Sequence, residues 1–223
     1  MPKFVSVQEA AAQVKDGMTV MIGGFLGCGS PHNVINAILE SGAKDLTIIA
    51  NDSPKPGFGL ASLIDNHRVK CLIASHVGMN QNVADQMNAG EMEVILTPQG
   101  SLAEMIRAGG GGLGGVLTQT GLGTPVEDSP LVDRKIEIDG KDYLLMKPLH
   151  ADVALLGAAK ADKAGNVWYK GTGRNFNPLI ATAADVVICE ADTVVEIGEI
   201  EPENVVTQGI FVDYIVDGGK LNG

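Results

Sequence analysis

Residues 16–31 constrain the fold of this chain more than any other stretch. A short apolar run, residues 18–22, has the length of a buried strand. Four glycines lie within the next seven residues. After them, Ser30 and Pro31 indicate a helix start, with Ser30 as the N-cap, and Gly42 indicates the end of that helix. The stretch therefore predicts a strand, a glycine loop and a capped helix.

A glycine loop in this position suits the binding of a ligand through the main chain. Glycines let a ligand approach backbone N–H groups, and the following helix N-terminus adds positive potential. Gly27 and Gly29 have the first spacing of G-x-G-x-x-G, but His32 occupies the place of the third glycine, and no Lys follows as in a P-loop. Both common nucleotide signatures are thus absent, while a tight turn that binds nothing stays open as the alternative.

The rest of the chain alternates apolar runs of strand length with helical patterns. Strands are predicted at residues 46–50, 69–74, 94–96, 151–158, 186–189 and 210–216. Helices are predicted near residues 5–14, 60–64, 83–87, 101–108 and 177–184. We expect a capping box of Ser101 and Glu104 to open the fourth of these, and Asn177 to cap the fifth. The alternation predicts an α/β fold with a mostly parallel sheet and helices on both faces.

Two further segments stand outside this alternation. Residues 135–138 and 143–145 flank Asp139-Gly140, which predicts a small β-hairpin excursion with a type I′ or related turn. Residues 109–115 hold six glycines, which suit either a mobile loop or a close-packed crossing. No linker or repeat divides the chain, so we expect residues 1–223 to form a single domain.

Charge and cysteine usage exclude several classes of function. The chain has 27 acidic and 16 basic residues, a net charge of −11, which disfavours nucleic acid and anionic membranes as partners. Its three cysteines form no C-x-x-C pair, and the first residues lack the apolar core of a signal peptide. We therefore expect reduced thiols and a cytoplasmic location. The four histidines are scattered, so no metal site is predicted.

Three predicted strands end in polar or glycine-rich turns. These turns are Gly23-Gly24-Phe25, Asn51-Asp52 and Pro98-Gln99-Gly100. In parallel sheets, ligands bind beyond the carboxyl ends of the strands. The recurrence of such turns predicts one site built from several loops.

The whole of residues 16–31 resembles the signature of the α subunit of family I coenzyme A transferases. Its defined places are filled by an Asp-Gly pair, three apolar residues, Gly-Gly-Phe, a further glycine and a proline, namely Asp16-Gly17, Val20-Met21-Ile22, Gly23-Gly24-Phe25, Gly29 and Pro31. Residues 97–110 and 174–178 resemble two further blocks of that family's α part. The resemblance covers nearly the whole chain. Within the family, the chain is most similar to the α subunits of acetate, butyrate and acetoacetate CoA-transferases.

The resemblance implies an activity shared between two chains. Family members move CoA between a short-chain acyl-CoA and a free carboxylate by a ping-pong mechanism, through a glutamyl-CoA thioester. The nucleophilic glutamate lies in a Ser-Glu-Asn-Gly motif of the β part, and this chain has no such motif. We therefore expect a partner β subunit that carries the glutamate, with coenzyme A as a substrate and no permanently bound cofactor.

The resemblance also assigns candidate residues. Gln99 is the catalytic candidate, because its amide N–H can stabilise an oxyanion that develops on a thioester. Asn51 is expected to orient the substrate carboxylate. The residues expected to bind CoA are those of the glycine loop, Gly24, Phe25, Leu26, Gly27, Cys28, Gly29 and Ser30.

Several alternatives stay open. Gln99 could simply bond the turn backbone, and Asn51 could cap a strand end. Glu190 and Asp192 are expected to cap or solvate another strand end. Cys28 is disfavoured as a nucleophile, since no base is paired with it in the sequence. The rival class is a non-enzymatic, sugar-phosphate-binding sensor domain of similar fold.

Overall fold

The computed structural model describes residues 1–219. Its strands, in chain order, are β1 (Lys3–Phe4), β2 (Thr19–Ile22), β3 (Leu46–Ala50), β4 (Val69–Ala74), β5 (Glu93–Leu96), β6 (Val116–Thr118), β7 (Val132–Ile138), β8 (Lys141–Met146), β9 (Ala151–Ala158), β10 (Lys160–Asp162), β11 (Val167–Trp168), β12 (Ala184–Ala191), β13 (Val194–Val195) and β14 (Tyr214–Asp217). Its α-helices are α1 (Val7–Ala11), α2 (His32–Ser41), α3 (Ala61–Asp65), α4 (Gln81–Ala89), α5 (Gln99–Gly110) and α6 (Asn177–Ile180). Short 3₁₀ turns lie at Pro125–Asp128, Gly171–Arg174, Pro202–Asn204 and Gly209–Phe211.

Eight strands form the main sheet, in the order β1-β14-β12-β9-β2-β3-β4-β5. Every neighbouring pair in that sheet is parallel. From β2 the chain proceeds outward through β3, β4 and β5, whereas β9, β12 and β14 extend the sheet on the other side. The strand order therefore reverses between β2 and β9, which is where open parallel sheets form a ligand crevice.

Apolar side chains pack on both faces of this sheet. One cluster joins it to α1, α2, α3 and α4, through residues such as Ile35, Leu63 and Val83. The other joins it to α5 and α6, through Leu102 and Ile180. Nearly continuous apolar strands such as β3 and β4 suit a sheet that is covered on both sides. The prediction of a parallel sheet with helices on both faces is confirmed.

The predicted hairpin is present but belongs to a larger unit. β7 and β8 pair around Asp139 and Gly140, which both have positive φ, as a type I′ turn requires. β6 pairs with the other edge of β8 and gives a three-stranded antiparallel sheet. Leu144 and Met146 of β8 are buried in the core, so this sheet is packed against the body of the protein.

Predicted boundaries of two helices, α5 and α6, are wrong. α5 begins at Gln99, so Ser101 lies inside the helix and is buried, while Glu104 pairs with Arg107 instead of closing a capping box. α6 ends at Ile180, because the chain enters β12 at Ala184. Pro98 precedes α5 and Pro178 lies in the first turn of α6, and no side chain caps either helix. Asn177, predicted as the cap of α6, is instead its first helical residue.

The glycine-rich segment divides into two parts. Gly109 and Gly110 form the last turn of α5, where a Cβ would overlap the Leu149 carbonyl and the Thr182 hydroxyl respectively. These two glycines are thus a close-packed crossing. At Gly112 and Gly114 a Cβ would meet no atom. Within residues 1–219, no helix is long and apolar enough to cross a membrane.

Candidate active site

An open cleft of about 460 Å³ lies at the carboxyl edge of the main sheet. Phe25 follows β2, Asn51 follows β3, and Gln99 follows the turn after β5. The full lining is Phe25, Asn51, Gln99, Thr172, Asn175, Phe176 and Leu179. The structure thus brings the three polar or glycine-rich strand ends together in one place, beside the point where the strand order reverses.

Gln99 and Asn51 are in direct contact in this cleft. Gln99 Nε2 donates a hydrogen bond to Asn51 Oδ1 at 3.0 Å. Asn51 is buried, and its main-chain carbonyl accepts from the Ser75 amide at 3.0 Å and hydroxyl at 2.7 Å. A primary amide carries two N–H donors, so this contact orients the Gln99 carboxamide and leaves its second N–H available to a ligand.

The glycine loop folds as a miniature hairpin between β2 and α2. Phe25 and Cys28 exchange two backbone hydrogen bonds, at 3.1 and 2.9 Å, around Leu26 and Gly27, which both have positive φ. Asp52 fixes the tip, because its carboxylate accepts the Leu26 N–H at 3.0 and 3.2 Å. Burial raises the pKa of Asp52, and the Leu26 N–H opposes that shift by favouring the charged form.

Most backbone N–H groups of the loop are occupied, contrary to the expectation that they face a ligand. Those of Gly24 and Leu26 donate to side chains, and those of Phe25 and Cys28 donate within the hairpin. Among the described residues, the N–H groups of Gly27 and Gly29 have no acceptor. Any main-chain recognition by this loop therefore rests on those two glycines.

The loop is also closely packed from below. A Cβ on Gly24, whose φ is +128°, would overlap the hydroxyl of Ser30. That hydroxyl donates to the Gly23 carbonyl at 2.9 Å. Ser30 is therefore not the N-cap of α2, which begins at His32 and has no capping bond from the preceding residues.

Glu190, at the end of β12, supplies the cap that Ser30 does not. Its carboxylate accepts the backbone N–H of Val34 at 2.8 Å and that of Asn33 at 3.2 Å. A buried carboxylate at a helix N-terminus is favoured by the helix dipole. Burial nevertheless raises the pKa of Glu190, and the amides oppose that shift. The expectation that Glu190 caps or solvates a strand end is wrong, since its carboxylate binds the first amides of the helix that follows the glycine loop.

A second cavity, of about 180 Å³, lies on the other side of the loop. Cys28, Gly29 and Ser30 face it, whereas of the predicted loop residues only Phe25 lines the open cleft. His32, Glu190 and Asp192 also line it, and burial lowers the pKa of His32 while it raises that of Asp192. In the part of the chain that the structure describes, no group of His, Cys, Asp and Glu side chains is arranged to hold a metal.

Comparison with known proteins assigns the family. Residues 4–218 match the sequence profile of the family described as Coenzyme A transferase. The chain belongs to the coenzyme A transferase family. It is 49% identical to the acetate CoA-transferase subunit alpha of Escherichia coli K12, over 96% of each chain. It is also 49% identical to the acetoacetyl-CoA:acetate/butyrate CoA transferase alpha subunit of Clostridium acetobutylicum, over 96% of this chain and 97% of that one.

Solved structures of CoA transferases share the fold. An acyl-CoA transferase from Escherichia coli O157:H7, in a thioester complex with CoA, superposes with a TM-score of 0.88 at 22% identity. All of the present chain is covered, but it spans only 49% of that longer protein. Glutaconate CoA-transferase from Acidaminococcus fermentans gives a TM-score of 0.84 at 22% identity, over 96% of this chain and 75% of that one. These relationships do not favour the sensor alternative.

Sequence reasoning missed the residues that hold the loop of this family member in place. Asn175 and Asn177 reach it from about 150 positions further along the chain, in a segment noted for its resemblance and for a predicted helix cap at Asn177. The Asn177 side chain donates to the carbonyls of Gly29 and Gly173 and accepts the Gly157 N–H at 3.1 Å. The only sequence signal for these residues was the string Asn-Phe-Asn-Pro. Residue spacing does not reveal which distant groups the two asparagines bind.

Proposed function

We propose that this chain is the α subunit of a two-chain CoA-transferase, which moves CoA between a short-chain acyl-CoA and a free carboxylate such as acetate, butyrate or acetoacetate. The observation that carries the proposal is the 49% identity, over 96% of the chain, to α subunits so named, together with the paired amides in the cleft. The partner is a β subunit, and coenzyme A enters as a substrate.

The chemistry places a developing negative charge beside Gln99. A carboxylate of the partner attacks the thioester carbonyl, the oxygen becomes an oxyanion, and the CoA thiolate leaves to give a mixed anhydride. The thiolate then attacks the other carbonyl carbon of the anhydride, the one contributed by the partner's carboxylate. This step releases the first acid and leaves a thioester on the partner. One N–H of Gln99 is bound by Asn51, which orients the side chain. The other N–H is suited to stabilise those oxyanions.

Asn51 has two roles in this reaction: it orients Gln99, and it can bind the carboxylate of a substrate. Its Oδ1 is already occupied by Gln99 Nε2, so its own amide N–H groups remain as donors toward a carboxylate. The apolar part of the lining, Phe25, Phe176 and Leu179, suits a short hydrocarbon chain. The glycine loop forms the wall of the site between the two cavities, and the partner's carboxylate enters from the open side of the cleft.

The division of labour is tested by trapping the covalent intermediate. The co-expressed complex is incubated with acyl-CoA alone, so that no acceptor acid completes the cycle, and is then reduced with borohydride. Reduction of a glutamyl thioester to the alcohol changes the mass of the chain that carried it. We expect the change in the partner alone, as measured by mass spectrometry of the separated chains.

Two controls give that measurement its meaning. The present chain incubated without its partner is expected to show neither turnover nor a mass change. Acyl-CoA omitted from the complex should leave both masses unchanged. A reduced glutamate found in this chain would contradict the assignment of the nucleophile to the partner, and turnover by this chain alone would contradict the two-chain site.

A further inference from the structure

The side chain of Asn175 joins two walls of the cleft. Its Oδ1 accepts the Gly24 N–H at 2.9 Å and the Phe176 N–H at 2.7 Å. Its Nδ2 donates to the carbonyl of Cys28 at 3.0 Å and to that of Thr172 at 2.9 Å. Asn175 thus grips the glycine hairpin at both ends, from a segment about 150 residues away in the chain.

These four bonds use the full capacity of the carboxamide at this site. The amide has two N–H donors, and both are occupied; its oxygen has two lone pairs, and both accept. Asn175 is half-buried and lines the cleft, yet all the hydrogen-bonding positions of its carboxamide are already used. A direct contact with substrate would require one of the four bonds to break, which argues for action through the loop.

The position of the hairpin decides what the cleft presents to a reacting group. Phe25 stands in the cleft wall, and the Gly27 N–H without an acceptor lies at the hairpin tip. Asp52 fixes the tip from the sheet, and Asn175 fixes the two ends from the opposite side. Without Asn175, the Gly24 N–H and the Cys28 carbonyl would lose their side-chain partner. The hairpin would then be held mainly near its tip, by Asp52 at the Leu26 N–H and by His32 at the Gly27 carbonyl, and its two ends could shift.

We infer that Asn175 is a positioning residue for the transferase reaction, which holds the Phe25–Cys28 hairpin in the orientation that the chemistry requires. The inference rests on the proposed function. Displacement of a reacting group by about 1 Å is sufficient to cost on the order of 100-fold in rate. Loss of Asn175 should therefore lower kcat much more than it changes the binding of acyl-CoA.

The test uses Asn175→Ala and Asn175→Asp in the co-expressed complex. Asn175→Ala removes all four bonds. Asn175→Asp keeps acceptors for the Gly24 and Phe176 N–H groups but loses both donor bonds, to the Cys28 carbonyl of the hairpin and to the Thr172 carbonyl of its own segment. We expect kcat to fall by roughly 10–100-fold in both, with KM for acyl-CoA within about threefold of wild type. Amide hydrogen exchange at residues 24–28 should accelerate in the same variants.

Asn166 provides a matched control. It is also a half-buried asparagine that joins two segments, with Nδ2 donating to Asp162 at 2.9 Å and Oδ1 accepting the Gly209 N–H at 3.1 Å. It does not line the cleft. Asn166→Ala is expected to lower the melting temperature while kcat and exchange at residues 24–28 stay at wild-type values.

Each outcome decides the inference. It is overturned if either assembled Asn175 variant keeps kcat within about twofold of wild type, or if Asn166→Ala loses kcat to the same degree. It is also overturned if neither Asn175 variant assembles while Asn166→Ala does, because the residue would then be structural only. Absence of turnover by the wild-type complex would instead refute the proposed function, so the two failures are distinguishable.

Discussion

Gly24→Ala is the sharpest test of how the glycine loop is built. Gly24 has φ +128°, and the Cβ of an alanine there would overlap the Ser30 hydroxyl. The structure therefore predicts that the glycine is required for the loop to pack on itself. A purely ligand-facing glycine would instead tolerate alanine in the folded protein and lose only binding.

The expected cost has two parts. An L-residue at this φ lies in a sparsely populated region, at a cost of about 1–3 kcal/mol. Displacement of the Ser30 hydroxyl breaks its 2.9 Å bond to the Gly23 carbonyl, which contributes about 1 kcal/mol. Together these predict that Gly24→Ala lowers the free energy of unfolding by about 2–4 kcal/mol.

Ser30→Ala separates the two parts. This variant has already lost the bond to Gly23 and has no hydroxyl for the new methyl group to displace. The nearest remaining atom is the Cβ of residue 30, which would lie 3.2 Å from the new Cβ. In that background Gly24→Ala should cost only the backbone part, about 1–3 kcal/mol, so the coupling between the two sites should be about 1 kcal/mol.

Urea unfolding of the four proteins, followed by far-UV circular dichroism, measures this cycle. Unchanged m-values would show that the same surface is exposed on unfolding in each. The reasoning fails if Gly24→Ala changes the free energy of unfolding by less than about 0.5 kcal/mol, or if its cost is the same with and without the Ser30 hydroxyl.

Two further predictions concern the cleft and the cap of α2. Gln99→Ala should lower kcat by roughly 10–1000-fold in steady-state assays, with a smaller change in KM. The control Gln81→Ala, also at the first residue of a helix, should leave kcat unchanged. If Gln99→Ala has the same kcat as wild type, Gln99 takes no part in the reaction. Because burial raises the pKa of Glu190 above its ordinary value of 4.5, its contribution to stability is present at low pH and is lost as pH rises through the folded-state pKa. The free energy of unfolding of wild type minus that of Glu190→Gln should therefore fall as the pH rises above 4.5, and a difference that rises instead would contradict the burial argument.

The elements of the sheet could be predicted because each is a local pattern. The run Leu46–Ala50 is apolar except for Thr47 and is found as β3 without any change of boundary. Gly42 ends α2 in the left-handed conformation that glycine adopts without cost. The proximity of Asn51 and Gln99 also followed from pattern alone, since Asn51 comes directly after one strand of the parallel sheet and Gln99 after the short turn that follows another.

The boundaries and the support of the site depend on contacts that spacing does not encode. Ser30 followed by Pro has the local signature of an N-cap, yet its hydroxyl is drawn to the Gly23 carbonyl, and Glu190 caps the helix instead. The capping-box pattern of Ser101 and Glu104 fails because the helix begins two residues earlier, at Gln99. For α2, a tertiary contact from Glu190 thus takes the place of the local cap.

The cap that Glu190 provides for α2 has a consequence for how the chain acquires its structure. Asn33 and Glu190 are separated by 157 positions, and the grip of Asn175 on the hairpin spans a similar distance. Contacts of such large sequence separation form slowly, because a long loop must close first. During synthesis on the ribosome, the strand β2 and the hairpin after it emerge long before the residues that hold them. The carboxyl edge of the sheet is thus assembled late. For most of translation, the nascent chain contains the glycine loop but lacks the residues that hold the loop in its folded position.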